Sequence, residues 1–150
     1  MTDIAVPVKV MDHAGDLPLP AYLSEGAAGM DLPAAVAETV IIPPGRVQII
    51  PTGLMAAVPA GYELQVRPRS GLAAKEGIGI LNSPGTIDSD YRGEIKVILI
   101  NLGPEPFTIQ RGERIAQIVL CPVMRINWKV VSKLPATARG PGGFGHTGKD

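Results

Sequence analysis

The chain has 150 residues, a length that suits one domain with a single buried core. It has 14 basic and 14 acidic residues, so its net charge is zero and no field of one sign favours duplex nucleic acid or an anionic membrane. The lone Cys121 cannot form an intrachain disulfide, no run approaches the roughly 18 consecutive apolar residues of a membrane helix, and the first residues lack a signal-peptide layout. We expect a cytoplasmic protein with no stable nucleic-acid partner and no membrane partner.

The sequence contains 18 glycines and 15 prolines within a composition that is 45% hydrophobic, which indicates many short strands joined by tight turns. Residues 62–67 give the clearest strand, because Tyr62, Leu64 and Val66 alternate with polar residues. The last predicted strand contains Trp128, which we assign to the core or to a subunit contact. The predicted strands are 4–10, 36–42, 46–50, 54–58, 62–67, 78–81, 94–100, 107–110, 114–120 and 123–131.

Residues 67–77 contain the one predicted helix. Ser70 is a favourable N-cap, the Leu-Ala-Ala-Lys-Glu run favours a helix, and Gly77 can end it. A helix N-terminus has unpaired N–H groups and a partial positive charge, so Ser70 and Gly71 beside Arg69 could bind a phosphate. The alternative is that the segment is only a capped connector.

Residues 82–93 place turn residues, two carboxylates, a phenol and a guanidinium close together in the sequence. The Ser-Pro-Gly turn at 83–85 is followed by Thr-Ile and then by a second strand, which predicts a β-hairpin. The free backbone groups of a hairpin tip could form hydrogen bonds with the edge of a flat polar ligand, and Asp88 and Tyr91 would lie beside the tip. The alternative is a surface hairpin whose acids are merely solvated.

Two further features stand out in the second half of the chain. Gln117 interrupts a buried apolar strand, so its amide should have a hydrogen-bond partner, such as a group on a neighbouring strand. The glycine-rich segment 137–150 is expected to be mobile by itself, yet it contains Arg139 and an isolated Phe144. Such a segment could order over a ligand, with Phe144 stacked on a planar base and Arg139 paired with phosphate.

Five stretches resemble, in order and spacing, the motifs of the trimeric dUTP diphosphatases. They are Ala28-Gly29-Met30-Asp31-Leu32, Arg69-Ser70-Gly71-Leu72-Ala73, residues 82–93, Gln117 within its strand, and the arm at 139–148. Met30 stands where an aromatic residue is usual, and His146 where Ser or Thr is usual. The resemblance implies an all-β, jelly-roll-like β-barrel with one short helix over residues 1–136 and a flexible glycine-rich C-terminal arm over residues 137–150. It also implies a homotrimer whose active sites lie at subunit interfaces.

The reaction implied by the resemblance is the hydrolysis of dUTP to dUMP and pyrophosphate, in which water attacks the α-phosphorus. This reaction limits uracil in DNA and supplies dUMP for dTMP synthesis. The resemblance assigns Asp88 as the base, Asp31 as a supporting residue, and Mg²⁺ as a cofactor bound through substrate phosphates and water with no direct protein ligand. Tyr91 would pack under the deoxyribose and exclude a 2′-hydroxyl. The implied substrate-binding residues are Arg69, Ser70, Gly71, Asn82, Gly85, Thr86, Ile87, Tyr91, Gln117, Arg139, Phe144 and Gly145.

Two other functions stay open from the sequence. A dCTP deaminase shares the superfamily and the nucleotide class, and ammonia release from dCTP would distinguish it. A non-catalytic nucleotide-binding trimer would release no pyrophosphate from dUTP. The Ile-Asp-Ser-Asp-Tyr-Arg-Gly segment at 87–93 and the Gly-Gly-Phe-Gly segment at 142–145 resemble the diphosphatase more than either alternative.

Overall fold

The strands of the described part of the chain form four small antiparallel sheets around one apolar core. The computed structural model describes residues 3–143, and within them it has eleven strands and one short α-helix, α1, at Ser70–Glu76. This confirms the predicted all-β, jelly-roll-like barrel with one short helix. The strands are β1 Val8–Val10, β2 Met30–Pro33, β3 Val40–Ile42, β4 Val47–Pro51, β5 Leu54–Ala56, β6 Tyr62–Arg67, β7 Ile78–Ile80, β8 Gly85–Ile87, β9 Lys96–Asn101, β10 Phe107–Ile109 and β11 Arg114–Pro122, with a 3-10 turn at Asp12–Ala14.

The largest sheet positions most of the candidate site. Its strand order is β2-β11-β6-β8, and every neighbouring pair is antiparallel. Because β11 lies between β2 and β6, Gln117 is opposite Asp31 on one side and opposite Arg67 on the other. The remaining sheets have the orders β4-β9-β7, β1-β5 and β10-β3.

Alternation along the strands explains which side chains are buried. In β6, Leu64 and Val66 are buried while the other side chains of the strand are half-buried, which confirms the predicted strand at 62–67. Burying such a side chain stabilises the fold by about 1.5–3 kcal/mol. The buried amide of Asn101 is satisfied, since its Nδ2 donates to the Ile42 carbonyl oxygen at 2.8 Å.

The helix differs from the prediction at its N-terminus. Arg69, not Ser70, occupies the N-cap position, with an extended backbone (φ −88°, ψ 126°) and no capping bond from its side chain. The assignment of Ser70 as N-cap is wrong because the Arg69 carbonyl oxygen already accepts a helical bond, from the Ala73 amide at 3.0 Å. Gly77, at φ 69°, ends the helix as predicted. With 7 residues α1 is short, and no helix in the described part of the chain is long and apolar enough to span a membrane.

Residues 82–93 do not form the predicted hairpin. The Ser83–Pro84 peptide is cis. Of the two strands that follow it, β8 pairs with β6, whereas β9 pairs with β4 and β7, so β8 and β9 lie in different sheets. The prediction is wrong because turn residues specify a change of direction but not the strand that will supply the hydrogen bonds. The segment between β8 and β9 instead connects two sheets.

Residues 123–131, predicted as the last strand, form no strand in the structure. Their apolar side chains alternate with polar ones, yet Met124, Ile126, Trp128 and Val130 are between 72% and 96% exposed. Trp128 is therefore outside the core of the described chain, and its predicted role in a subunit contact stays a prediction. We call residues 123–134 the apolar arm.

Candidate active site

Two guanidinium groups share one carboxylate beside the ends of β2, β6 and β11. Asp31 Oδ2 lies 3.2 Å from Arg69 Nη2 and 3.1 Å from Arg114 Nη1. Arg69 Nη1 also donates to the Arg114 carbonyl oxygen at 2.7 Å. With one negative and two positive charges the group has a net positive charge, and each guanidinium has more N–H donors than these contacts use. We call Asp31, Arg69, Arg114 and Gln117 the arginine cluster.

Gln117 joins this cluster through strand pairing. It lies between Asp31 and Arg67 in the sheet, and its Nε2 donates to the Pro68 carbonyl oxygen at 2.9 Å. The expected hydrogen-bond partner of this amide therefore exists, and it lies on the neighbouring segment. Nε2 has a second hydrogen, and the contact of Gln117 with a triphosphate stays a prediction.

Arg114 was not among the residues predicted from the sequence. Residues three apart on a regular strand point to opposite faces, so Arg114 would not be expected on the same side as Gln117. The register of β11 against β2 shifts between Arg114 and Ala116, and such an irregularity redirects a side chain. The signal that could have found Arg114 was its position three residues before Gln117, which had already been predicted to need a hydrogen-bond partner.

Ser70 and Gly71 follow Arg69 as the first residues of α1, and both are exposed. Beyond its own helix, no atom of the described chain lies within 4 Å of the point that a Cβ on Gly71 would occupy. The structure thus places these two residues beside the arginine cluster with open space next to them. Their contact with phosphate stays a prediction.

Asp88 begins a tight turn directly after β8. The Tyr91 amide donates to the Asp88 carbonyl oxygen at 3.1 Å, and the Tyr91 hydroxyl donates to the Glu94 carbonyl oxygen at 3.0 Å. Asp88 is exposed and takes part in none of the salt bridges found in the described chain. The turn borders a cleft of about 350 Å³ that Ile87 also lines. We call residues 88–94 the Asp88 turn.

The residues predicted to read the nucleobase lie on and just before β8. Asn82 Nδ2 is 3.3 Å from the point that a Cβ on Gly85 would occupy, so a larger residue at Gly85 would push against the amide. Gly85 is buried opposite Val66, Thr86 is exposed and Ile87 is half-buried. The structure brings these residues together next to Asp88, and their contact with uracil stays a prediction.

Within one chain, the structure does not bring Asp88 and the arginine cluster together. β8 runs antiparallel to β6 with Ile87 opposite Leu64, so Asp88 lies near Glu63 at the start of β6. Arg69 follows the other end of that strand. Six positions of extended chain separate Glu63 from Arg69, which is about 20 Å. The two candidate clusters are therefore at opposite ends of β6.

The predicted arm contributes only its first residues to the described structure. Arg139 is exposed, and its Nε donates to the Gly142 carbonyl oxygen at 2.8 Å in a local turn. Phe144 and Gly145 lie outside the described residues. The contacts predicted for these three residues, and the division at 137, stay predictions.

The dUTPase family model matches residues 16–148 of the chain. Among solved structures, a mutant dUTPase of phage 80alpha is 26% identical with a TM-score of 0.84, over 97% of this chain and 99% of that chain. The Staphylococcus bacteriophage 80alpha dUTPase with dUPNHPP is 27% identical with a TM-score of 0.81, over 96% of this chain and 98% of that chain. A mutant dUTPase from phage phi11 of S. aureus, which coordinates a structural Mg(II) ion, is 22% identical with a TM-score of 0.76 over 87% and 98%, a likeness of fold alone. The chain therefore belongs to the dUTPase family.

Proposed function

We propose that this dUTP diphosphatase hydrolyses dUTP to dUMP and pyrophosphate with Asp88 as the base that activates the attacking water. The observation that carries the assignment is the contrast between two carboxylates. Asp88 is exposed and free of salt bridges within the described chain, so it can accept a hydrogen bond from water. Asp31 is occupied by Arg69 and Arg114 and instead orients these cations.

The arginine cluster supports binding of the triphosphate. Arg69 lies next to the exposed Ser70 and Gly71, and Arg114 holds a second positive charge beside it. Hydrogen bonds from guanidinium to phosphate are charge-assisted, and the planar fork suits a pair of phosphate oxygens. Displacement at phosphorus places negative charge on these oxygens, and cations already held in position stabilise it. Gln117 would add an N–H donor from β11.

Mg²⁺ would be held by triphosphate oxygens and water, and it would supply further charge neutralisation. The residues present fit this role, since the exposed carboxylate of Asp88 can accept hydrogen bonds from metal-bound water. Asp31 is less suited to hold metal-bound water, because its carboxylate already contacts two guanidinium groups. In residues 3–143 no three His, Cys, Asp or Glu side chains are grouped to hold a metal ion.

Each active site would combine Asp88 from one copy of the chain with Arg69 from another. In-line attack needs the activated water within about 3–3.5 Å of the phosphorus. The cations must hold that same triphosphate, but the two clusters of one chain are separated by about 20 Å along β6. The separation is removed if a second copy presents its Asp88 turn to the arginine cluster of the first.

The apolar arm supports the homotrimer that the family resemblance implies. Met124, Ile126, Trp128 and Val130 recur at every second residue and are highly exposed, which is the pattern of a strand without a neighbour. Monomeric proteins rarely leave such a continuous apolar surface uncovered. A second copy of the chain would cover it, so we expect a mass in solution of three chains of 15.7 kDa, measured by light scattering after size-exclusion chromatography.

A panel of nucleotides tests the proposed function. Purified protein with Mg²⁺ is given dUTP, UTP, dCTP or dTTP, and both pyrophosphate and ammonia are measured. We expect pyrophosphate from dUTP at a rate about 100-fold above the other nucleotides. Ammonia from dCTP would indicate a deaminase instead, and intact dUTP after prolonged incubation would overturn the proposal.

A further inference from the structure

Within the Asp88 turn, Tyr91 is held by its backbone amide and by its hydroxyl. Its own amide donates to the Asp88 carbonyl oxygen at 3.1 Å, and its hydroxyl donates to the Glu94 carbonyl oxygen at 3.0 Å. Tyr91 is 43% exposed, so burial alone does not fix its position. Its position therefore depends on these neighbours.

Gly93 provides the space that the ring occupies. A Cβ at Gly93 would lie 2.6 Å from Tyr91 Cζ, 3.0 Å from Cε2 and closer still to Oη. Separations below 3.0 Å are essentially never seen for real Cβ atoms, so the ring or the backbone would have to move. A glycine at this position is what allows the ring to lie against the turn.

Glu94 supplies the acceptor for the Tyr91 hydroxyl and is itself held from several sides. Its side chain is 12% exposed, and Oε1 accepts a hydrogen bond from the Gly53 amide at 2.9 Å. His13 Nε2 lies 3.2 Å from Oε1, and Lys96 Nζ lies 3.5 Å from Oε2. Gly53 and His13 are far from Glu94 in sequence, so Glu94 fixes the turn to the barrel.

We propose that Gly93 and Glu94 are positioning residues, which hold the Tyr91 ring where it contacts the sugar and thereby set how strongly the enzyme rejects UTP. This inference rests on the proposed function and on the role that the family resemblance implies for Tyr91, which is to pack under the deoxyribose. UTP differs from dUTP by one hydroxyl, so a ring that moves away leaves room for that group. Displacing the ring therefore reduces selectivity more than it reduces dUTP turnover.

The test measures kcat/KM for dUTP and for UTP in Gly93→Ala, with and without Tyr91→Ala. We expect Gly93→Ala to lower the dUTP:UTP ratio about tenfold. In the Tyr91→Ala background the same change should alter the ratio less than about twofold, because the ring is gone. Gly26→Ala is the matched control, since apart from Gly26 and its two chain neighbours no atom of the described chain lies within 4 Å of the added Cβ. A ratio unchanged by Gly93→Ala, or lowered equally in both backgrounds, overturns the inference.

Tyr91→Phe gives a second test that does not depend on the folding of Gly93→Ala. It removes only the hydroxyl that reaches the Glu94 carbonyl oxygen, and we expect the ratio to fall about threefold while the melting temperature falls by no more than about 4 °C. A parent-like ratio contradicts the role of Glu94. If the parent protein hydrolyses no dUTP, the proposed function fails; if the parent discriminates and the variants keep its ratio, this inference alone fails.

Discussion

The arginine cluster and the Asp88 turn hold their functional groups in different ways. Asp31, Arg69 and Arg114 come from distant parts of the sequence and neutralise one another in part through salt bridges. The Asp88 turn is closed by hydrogen bonds between residues three apart, and its carboxylate is left exposed. In the proposed function, the first arrangement holds positive charge for the triphosphate, whereas the second leaves the Asp88 carboxylate free to act on water. Removing a group from each region should therefore have different effects.

The largest effect is expected from Asp88→Asn. Asparagine keeps the shape of the side chain but cannot take a proton, so kcat should fall by about 10²–10⁴-fold while binding of a non-hydrolysable dUTP analogue is kept. Steady-state kinetics and calorimetric titration measure the two quantities. Asp90→Asn, an exposed carboxylate in the same turn, is the matched control. Hydrolysis at the parent rate by Asp88→Asn would show that another group is the base.

Arg69→Ala removes a cation from the other region. A hydrogen bond to a charged group contributes about 1.5–3 kcal/mol, so kcat/KM should fall by about 10–150-fold, with weaker binding of the analogue. Weaker binding is the difference from Asp88→Asn. The exposed Arg46→Ala is the control and should match the parent. Unaltered affinity in Arg69→Ala would remove this residue from the phosphate site.

Deletion of residues 137–150 tests whether the arginine cluster and the Asp88 turn work without the C-terminal arm. Arg139 and Phe144 are expected to close over the nucleotide and exclude water, so kcat should fall about tenfold or more. Because the apolar arm ends before residue 137, the trimer should survive, as measured by light scattering. Kinetics equal to the parent would show that the arm takes no part.

The smallest effect is expected at a third carboxylate–guanidinium pair, Asp16 with Arg111, which lies at the surface. Arg111 Nε donates to Asp16 Oδ2 at 3.0 Å, and this hydrogen bond holds the pKa of Asp16 below its ordinary value. A lowered pKa stabilises the fold at pH values above the unfolded pKa, and the gain is lost as the pH falls through the folded value. Asp16→Asn should lower Tm at pH 7 by at most about 2 °C, and the difference should disappear well below about pH 4. A difference that persists in acid would mean that the pair acts through packing.

Local patterns in the sequence predicted local structure, and they did not predict which segments would pair. The alternation in 62–67 and the Gly77 stop signal correspond to β6 and the end of α1 because each depends on neighbouring residues alone. The prediction of a hairpin at 82–93 was wrong, since β8 pairs with β6 and not with β9. Residues 123–131 have a strand pattern but no partner strand among the described residues.

The site residues could likewise be predicted only where local sequence patterns identify them. Asp31, Arg69 and Gln117 could be singled out from their motifs, and the structure brings them together. Arg114 was missed because its direction depends on a register shift in β11 that no residue pattern announces. The separation of Asp88 from Arg69 could not be foreseen either, because it follows from the pairing of β8 with β6.

Complementation between two impaired variants is the most direct test of a site shared between copies. Asp88→Asn and Arg69→Ala chains, carrying different tags, are co-expressed, and trimers that contain both are purified. In a cyclic trimer that contains both variants, one of the three sites, or about a third, would combine an intact Asp88 with an intact Arg69 from another chain. We predict that dUTP hydrolysis recovers to about that fraction of the parent activity. Mixed trimers no more active than either variant alone would contradict a site built from two copies.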